Sequence, residues 1–377
     1  MSLRNWLLTA LFLSLLFFLR WKTLPPPPDF SPGQEIKISA FLREEPKIIG
    51  SSQIFSLAGI EVKTYRFPDY HYNDYLIVVG TPKKGVTKTW SLEFPQISET
   101  ENLQKTGIEH KIFALISAWR QKIEKVYRFS LPEPHASLMA GIVLGSKSGF
   151  PQDFYQALRQ TGTLHVVVAS GMNISLLGGA LMPFLVLFLR RKLALVLAFL
   201  GIWFYVLLAG GEAPVIRAGI MGSLAFLGVG LGREKDAVRG LIFAGLLMLF
   251  INPNYLFDLG FQLSFAATVG ILFVYPKIKA WKPGRRFFSL PLFGDELAVT
   301  LAAQLLTLPI MVFSLGWFNP ISPLVNALVL WTIPWMMGIG ALGGLFGLSN
   351  STLGQLFCLP AYPLLTYFIE MVKLFSR

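Results

Sequence analysis

The sequence predicts a polytopic α-helical membrane protein of about nine spans, one of them broken, with a small external all-β domain of the OB kind and an amphipathic interface helix. Three observations carry this. Hydrophobic residues make up 53% of the 377-residue chain and charged residues only 14%, outside the usual balance of soluble domains. Apolar runs long enough to cross a bilayer recur from Leu164 to the C-terminus. Between Gln34 and Phe94 the pattern changes to short β-branched and aromatic segments.

Residues 1–28 form the first unit. Leu7 to Leu19 is apolar and flanked by Arg4, Arg20 and Lys22. No small-residue cleavage site follows, so the run is expected to remain as an anchor. Pro25 to Pro28 makes a stiff, extended spacer.

Residues 30–98 form the β domain. IKISAFL, IFSLAGI, VKTYRF, YLIVVG and TKTWSLEF are broken by Pro46, Gly50, Gly59, Pro68 and Pro82, as strands are. Such spacing fits an OB-like barrel, and a sandwich fragment has the same signature. Lys37, Lys63, Arg66, Lys83, Lys84 and Lys88 make the segment basic, and Tyr65, Phe67, Tyr70, Tyr72 and Trp90 interleave with them. Basic and aromatic residues together hold single-stranded nucleic acid without sequence preference. The six basic residues with Tyr70 and Tyr72 are the external candidates for that contact. A solvated barrel with its aromatics in the core reads the same way.

In residues 99–160, Ile112, Ile116, Trp119, Ile123 and Tyr127 repeat at helical spacing, with Lys111, Arg120, Lys122, Lys125 and Arg128 between them. This is an amphipathic helix, placed flat at the membrane interface or packed on the barrel by its apolar stripe. AGIVLGSKSG, residues 140–149, is not a phosphate loop: Gly141 and Gly145 are separated by three residues where the motif has four, and Ser146 precedes Lys147.

Residues 161–377 hold the membrane domain. Thr161 to Leu189 reads as a span with a break near its start, because Thr161, Thr163, His165, Ser170 and Asn173 crowd its first third with Gly162 and Gly171. Polar groups at such depth face protein or a water-filled path. Small residues also cluster there simply to let helices approach. Further spans are expected at 193–209, 214–231, 238–251, 257–275, 296–317, 321–348 and 353–375. Arg190 to Lys192, then Arg233, Lys235 and Arg239, then Lys277 to Arg286 fall on one side, which the positive-inside rule makes cytoplasmic. The N-terminus is then cytoplasmic and the β domain external.

Arg217, at the outer start of a span, needs a carboxylate, a carbonyl or a solvated cavity. Glu212 and Asp258 are the ion-pair candidates, with a helix N-cap as the other reading of Asp258. Gln262 opens the span FDLGFQLSFAATVG, where Gly260, Ser264 and Thr268 form a small-residue stripe. Gln304, Pro309, Pro323, Asn326 and Pro334 interrupt the last spans, as in helices around a translocation path. The single Cys358 and four scattered histidines exclude a disulfide framework and give no metal site. His165 and Ser170 lie roughly 140° apart on a helix and make no dyad. No catalytic residue, metal or cofactor is expected, and the chain is read as a non-enzyme.

Three stretches together resemble the ComEC-type competence proteins, inner-membrane channels of bacterial DNA uptake. MAGIVLGSKSGFPQDFYQALRQTGTLHVVVASGMNISLLGG is similar to that family's main signature, in which Thr-Gly-x-x-His leads into Ser-Gly. FDLGFQLSFAATVGILF and EAPVIRAGIMG resemble two further elements, and YNDYLIVVGTP resembles a piece of the family's OB-like module. Many members have Asp near Ser146, His at the position of Asn173, and more helices around the N-terminal module. No His-x-His-x-Asp-His run occurs, so the family's metallo-β-lactamase-like domain is expected to be absent.

The resemblance implies a channel for single-stranded DNA across the bacterial plasma membrane. Its path would be lined by Thr161, Thr163, His165, Ser170, Asn173, Arg217, Gln262 and Gln304. Single-stranded DNA and membrane lipid are the expected partners. A separate nuclease, a DNA receptor, a cytoplasmic helicase and a homo-oligomer are left open. The other classes that fit these residues are a small-solute secondary transporter and an envelope scaffold.

Overall fold

The computed structural model describes residues 30, 34–42, 46–49, 52–57, 59–65, 67–68, 70, 74–84, 90–99, 108–146, 149–167, 171–211, 213–230, 237–281, 293–315 and 319–376. The anchor and spacer expected over 1–28 lie outside these residues, as do Arg66, Tyr72, Lys88, Ser170 and Glu212.

The β region contains Ile36–Phe41 (β1), Lys47–Ile49 (β2), Ser52–Leu57 (β3), Ile60–Tyr65 (β4), Tyr75–Gly80 (β5), Lys83–Lys84 (β6), Trp90–Glu93 (β7) and Gln96–Glu99 (β8). They form two sheets, in the orders β1-β5-β8 and β2-β3-β4-β7-β6. Every pairing is antiparallel except β4 with β7. Alternation along β3 and β4 turns Phe55, Leu57, Ile60 and Val62 inward, where they meet Leu76, Val78 and Leu92 in one core. Gly59 closes the β3–β4 hairpin at φ 84°, a conformation that costs glycine little. Five strand segments are legible in the sequence; β2, β6 and β8, of three, two and four residues, are too short to leave a pattern.

The helices are Ile108–Ser130 (α1), His135–Leu144 (α2), Gln152–Gln160 (α3), Leu164–Val167 (α4), Gly171–Phe188 (α5), Arg191–Leu208 (α6), Ala213–Gly230 (α7), Ala237–Ile251 (α8), Leu259–Phe273 (α9), Tyr275–Ala280 (α10), Phe293–Leu315 (α11), Ser322–Val329 (α12), Ile333–Ser349 (α13), Ser351–Cys358 (α14) and Tyr362–Phe375 (α15). Among the described residues six stretches are long and apolar enough to cross a membrane: Leu164–Phe188, Arg191–Leu208, Leu259–Ala280, Gly294–Ser314, Ser322–Ser349 and Ser351–Phe375. His135–Leu144, Ala213–Phe226 and Ala237–Ile251 are shorter apolar helices. Two of these shorter helices occupy stretches expected to span. Single 3-10 turns, Leu330–Thr332 and Leu359–Ala361, join α12 to α13 and α14 to α15.

Helix α2 is a finding rather than an expectation. Its residues from Ala136 to Leu144 are all buried, so it has no polar face to give a periodic signal. Helix α1 lays its apolar stripe on α13 and α14. Ile123 and Tyr127 sit against Gly344, and Val126 against Gly347 and Gly354. The Tyr127 hydroxyl donates to the Gly340 carbonyl at 2.8 Å. Arg120, beside Glu124 at 3.5 Å, is buried, unlike the exposed Lys122, Lys125 and Arg128.

Close approach decides the α9–α11 contact. A Cβ on Gly270 would stand 2.2 Å from the Ala302 carbonyl oxygen, a backbone atom that has no rotamer by which to yield. A Cβ on Gly179 would meet nothing within 4 Å. Gly270→Ala is therefore expected to cost about 1–3 kcal/mol by overpacking, and Gly179→Ala close to nothing. Thermal unfolding of the two purified variants in the same detergent checks this; equal melting temperatures would contradict the packing.

Candidate functional site

Two polar clusters flank α4 in the chain. The first is the turn that ends α3. The Thr161 hydroxyl donates to the Ala157 carbonyl at 2.8 Å and lies 2.9 Å from the Thr163 hydroxyl. Gly162 takes φ 69°, and a Cβ there would stand 2.5 Å from the Ser322 oxygen. Ser322 Oγ accepts from Gln304 Nε2 at 2.9 Å and from Asn326 Nδ2 at 3.3 Å. Asn319 Nδ2 donates to the Gln160 carbonyl. The turn thus lies against the start of α12, where Gln304 of α11 also binds Ser322. Thr161, Thr163, Ser322 and Asn326 are buried, and Gln304 is half-buried.

The second cluster surrounds Arg217 on α7. Its Nε donates to Ser264 Oγ at 2.8 Å, and its Nη1 donates to Thr268 Oγ1 at 2.5 Å and reaches Met221 Sδ at 3.6 Å. The guanidinium carbon lies 5.9 Å from the centre of the Phe265 ring. Ser264 and Thr268 are one turn apart on α9, and the Thr268 hydroxyl donates to the Ser264 carbonyl at 2.9 Å. Every one of these partners is neutral. Among the described residues Nη2 has no hydrogen-bond partner. It faces the start of α5, where a Cβ on Gly171 would stand 3.0 Å from it.

The carboxylate candidates do not fill this role in the described structure. Asp258 caps α9, its Oδ1 accepting from the Phe261 amide at 2.7 Å. Glu212 lies outside the described residues. Gln262 turns back on its own chain and donates to the Leu256 carbonyl at 2.7 Å.

The remaining residues expected along a path are dispersed. Asn173 is fully buried and donates to the Ile142 carbonyl at 2.9 Å and to the Tyr205 hydroxyl at 3.3 Å. It therefore ties α5 to α2 and α6. Thr161, Thr163 and Asn173 have no exposed surface in this structure. His165 is exposed, with Nδ1 2.8 Å from the Gly162 carbonyl. Ser170 lies outside the described residues. The sequence reading missed that Ser264 and Thr268 serve Arg217; hydroxyls four residues apart in FQLSFAAT were the available signal.

On the β region, Lys37 is exposed on β1 and Lys63 is half-buried with Nζ 5.9 Å from the Phe94 ring centre. Lys83 is bound to Glu93 at 2.7 Å, and this hydrogen bond with its charge holds the Glu93 carboxyl below its ordinary range. Tyr70, expected to face a strand, is a core residue edge-on to Phe55 at 5.9 Å. Lys84 lies on β6. Among the described residues no group of three His, Cys, Asp or Glu side chains is placed to hold a metal ion.

The profile of one protein family, described as Competence protein, matches residues 142–377. ComE operon protein 3 of Bacillus subtilis (strain 168) is 26% identical over 294 residues, which cover 76% of this chain and 35% of that protein. An uncharacterized protein of Aquifex aeolicus (strain VF5) is 32% identical over 184 residues, 48% of this chain and 40% of that protein. The chain thus matches well under half the length of either relative. No solved structure matches it.

Among the described residues Arg217 has only neutral partners, so its removal strands no described carboxylate. Arg217→Met should change stability by about 1 kcal/mol or less, and Asp258→Ala should cost about 1 kcal/mol as a lost cap. The two effects should add, as for independent sites. Chemical unfolding of both single variants and the double variant measures this; a loss of about 3–5 kcal/mol for Arg217→Met would reveal a charged partner.

Proposed function

Because the chain belongs to the Competence protein family, we propose that it conducts single-stranded DNA across the bacterial plasma membrane during DNA uptake. The observation that carries this reading is the state of Arg217. A guanidinium neutralised by a carboxylate offers little to a passing anion. Arg217 is instead held by two hydroxyls and a thioether, with its Nη2 edge turned toward the first residue of α5. A phosphate arriving there would gain charge-assisted hydrogen bonds from the guanidinium fork.

His165, Gln262 and Gln304 are the other candidates along the path that retain exposed or half-buried surface. Thr161, Thr163 and Asn173 hold the elements behind them. The strand would enter from the outer side, where the charge rule puts the OB-like β region, and leave beside the basic cytoplasmic loops. No catalytic step is assigned to the chain. Force, strand separation and degradation of the second strand would belong to partners: a DNA receptor, a nuclease and a cytoplasmic helicase. A small-solute transporter would use the same interrupted helices, but the family points to DNA.

Deleting the chain from its natural host and restoring it as wild type, Arg217→Ala or Arg217→Lys tests the reading. One lost charge-assisted hydrogen-bond site corresponds to about 10- to 100-fold, so Arg217→Ala should reduce uptake of labelled DNA by that factor. Arg217→Lys, which keeps the charge and loses the fork, should fall between. Wild-type uptake by Arg217→Ala at wild-type protein levels would overturn the proposal.

A further inference from the structure

His135, the first residue of α2, lies in the seam where α2 packs on α15. It precedes the six candidate spans. Its ring lies flat on the Tyr362 ring, with centres 4.6 Å apart and planes 10° from parallel. Nε2 is 3.0 Å from Thr366 Oγ1. The single Thr366 hydroxyl proton is donated to the Tyr362 carbonyl at 2.9 Å. The contact with His135 therefore needs a proton on Nε2, which leaves Nδ1 of the neutral imidazole as a bare acceptor. Nδ1 is buried and has no hydrogen-bond partner among the described residues.

A second proton finds no acceptor in this seam. It would create an N–H bond at Nδ1, and a buried polar group without a partner lowers stability. Turning the ring over exchanges the two nitrogens and leaves the same deficit. The charge would also stand in the first turn of α2, the end of a helix that disfavours cations.

The neighbouring charges do not remedy this. Glu133, in the turn before α2, accepts from the Ser137 amide at 3.2 Å and from its hydroxyl at 2.5 Å. Glu370 on α15 lies 3.6 Å from Lys373, a cation on the same helix. Arg128, at the end of α1, reaches toward Gly149 beside Ser137. α13, also packed on α2, brings no ionisable residue. α4 carries His165 but meets α2 further along, where Val167 touches Gly141. α3, packed on α15, brings Asp153 and Arg159, one of each sign. Burial first and Lys373 second hold the imidazole below its ordinary range, while Glu133 and Glu370 act the other way.

We propose that His135 is a proton-operated latch: neutral, it joins α2 to α15, and protonated, it releases that contact. The folded chain takes up this proton less readily than the unfolded chain, whose histidine titrates near about pH 6.5. The stabilisation is therefore complete above about pH 6.5 and is lost as pH falls below it. Release would be felt beyond the seam. Tyr367 of α15 donates to the Leu328 carbonyl of α12 at 3.1 Å, and α12 carries Ser322 and Asn326 of the first polar cluster. Acid would thus loosen the support of that cluster. The inference stands apart from the DNA reading, since it holds whatever the membrane domain conducts.

The test follows thermal unfolding of the full chain in one detergent between about pH 7.5 and about pH 5.5, an interval that spans the ordinary histidine titration. His135→Gln keeps an amide to donate to Thr366 and does not titrate, and every other ionisable group is common to the two proteins. On acidification the wild-type Tm should fall by about 2–4 °C more than that of His135→Gln. Parallel curves would overturn the proposal, as would a wild type that gains stability in acid relative to the variant. Hydrogen exchange of the unsubstituted chain needs no variant. After correction for intrinsic rates, amides of α15 should exchange about threefold faster at the acid end than at the neutral end. Those of α9, which packs on α7, α8 and α11, should not change. An equal change in the two helices, or none in α15, would contradict the latch.

Discussion

A guanidinium among apolar helices has to be solvated by the protein itself. Among the described residues that requirement is met by the hydroxyls of Ser264 and Thr268, and the helices around Arg217 are arranged to supply them. Ser264 and Thr268 must share one face of α9, which their four-residue spacing provides. That face must be turned toward α7, and α5 must begin with a residue lacking a side chain, because Gly171 sits against Nη2. Capping by Asp258 starts α9 two turns earlier and fixes which residues face Arg217. The same helix must then pack its other side on α11, where Gly270 removes the side chain that would collide with the Ala302 carbonyl.

The remainder of the bundle repeats this logic without charge. Gly340, Gly344, Gly347 and Gly354 accept Met139, Tyr127, Ile123 and Val126 from α1 and α2. In a bilayer, where apolar surface is equally at home in lipid, such close van der Waals fit is what holds helices together. The buried amides and hydroxyls at Asn173 and around Ser322 add directional ties between elements distant in sequence. Among the described residues Arg217 has no carboxylate partner in this packing.

Long features were the legible ones. The apolar runs after Leu164, the β region and the α1 stripe could each be read from periodicity or composition, since each extends over enough residues to establish a pattern. α2 could not, being buried on every side. At the site, the need of Arg217 for a partner was visible but the partner was not. Asp258 and Glu212 attract attention because charge complements charge, whereas Ser264 and Thr268 read as small-residue packing. They do both, which spacing alone does not separate. The same ambiguity placed Thr161, Thr163 and Asn173 on a path when their bonds run to neighbouring backbone. Tyr70 illustrates it on the β side: an aromatic among lysines looks like a binding residue until the sheet turns it inward.

The central claim is that Arg217 keeps its charge available for a phosphate. Its most direct test is a distance between the guanidinium and DNA phosphorus. The full chain, labelled with nitrogen-15 arginine and kept in a phosphorus-free maltoside detergent, would be loaded with a short single strand and measured by solid-state dipolar recoupling. A nitrogen–phosphorus separation of about 4 Å, the reach of a direct hydrogen bond, is expected in the wild type and absent in Arg217→Lys. A spectrum identical in the two proteins would contradict the account.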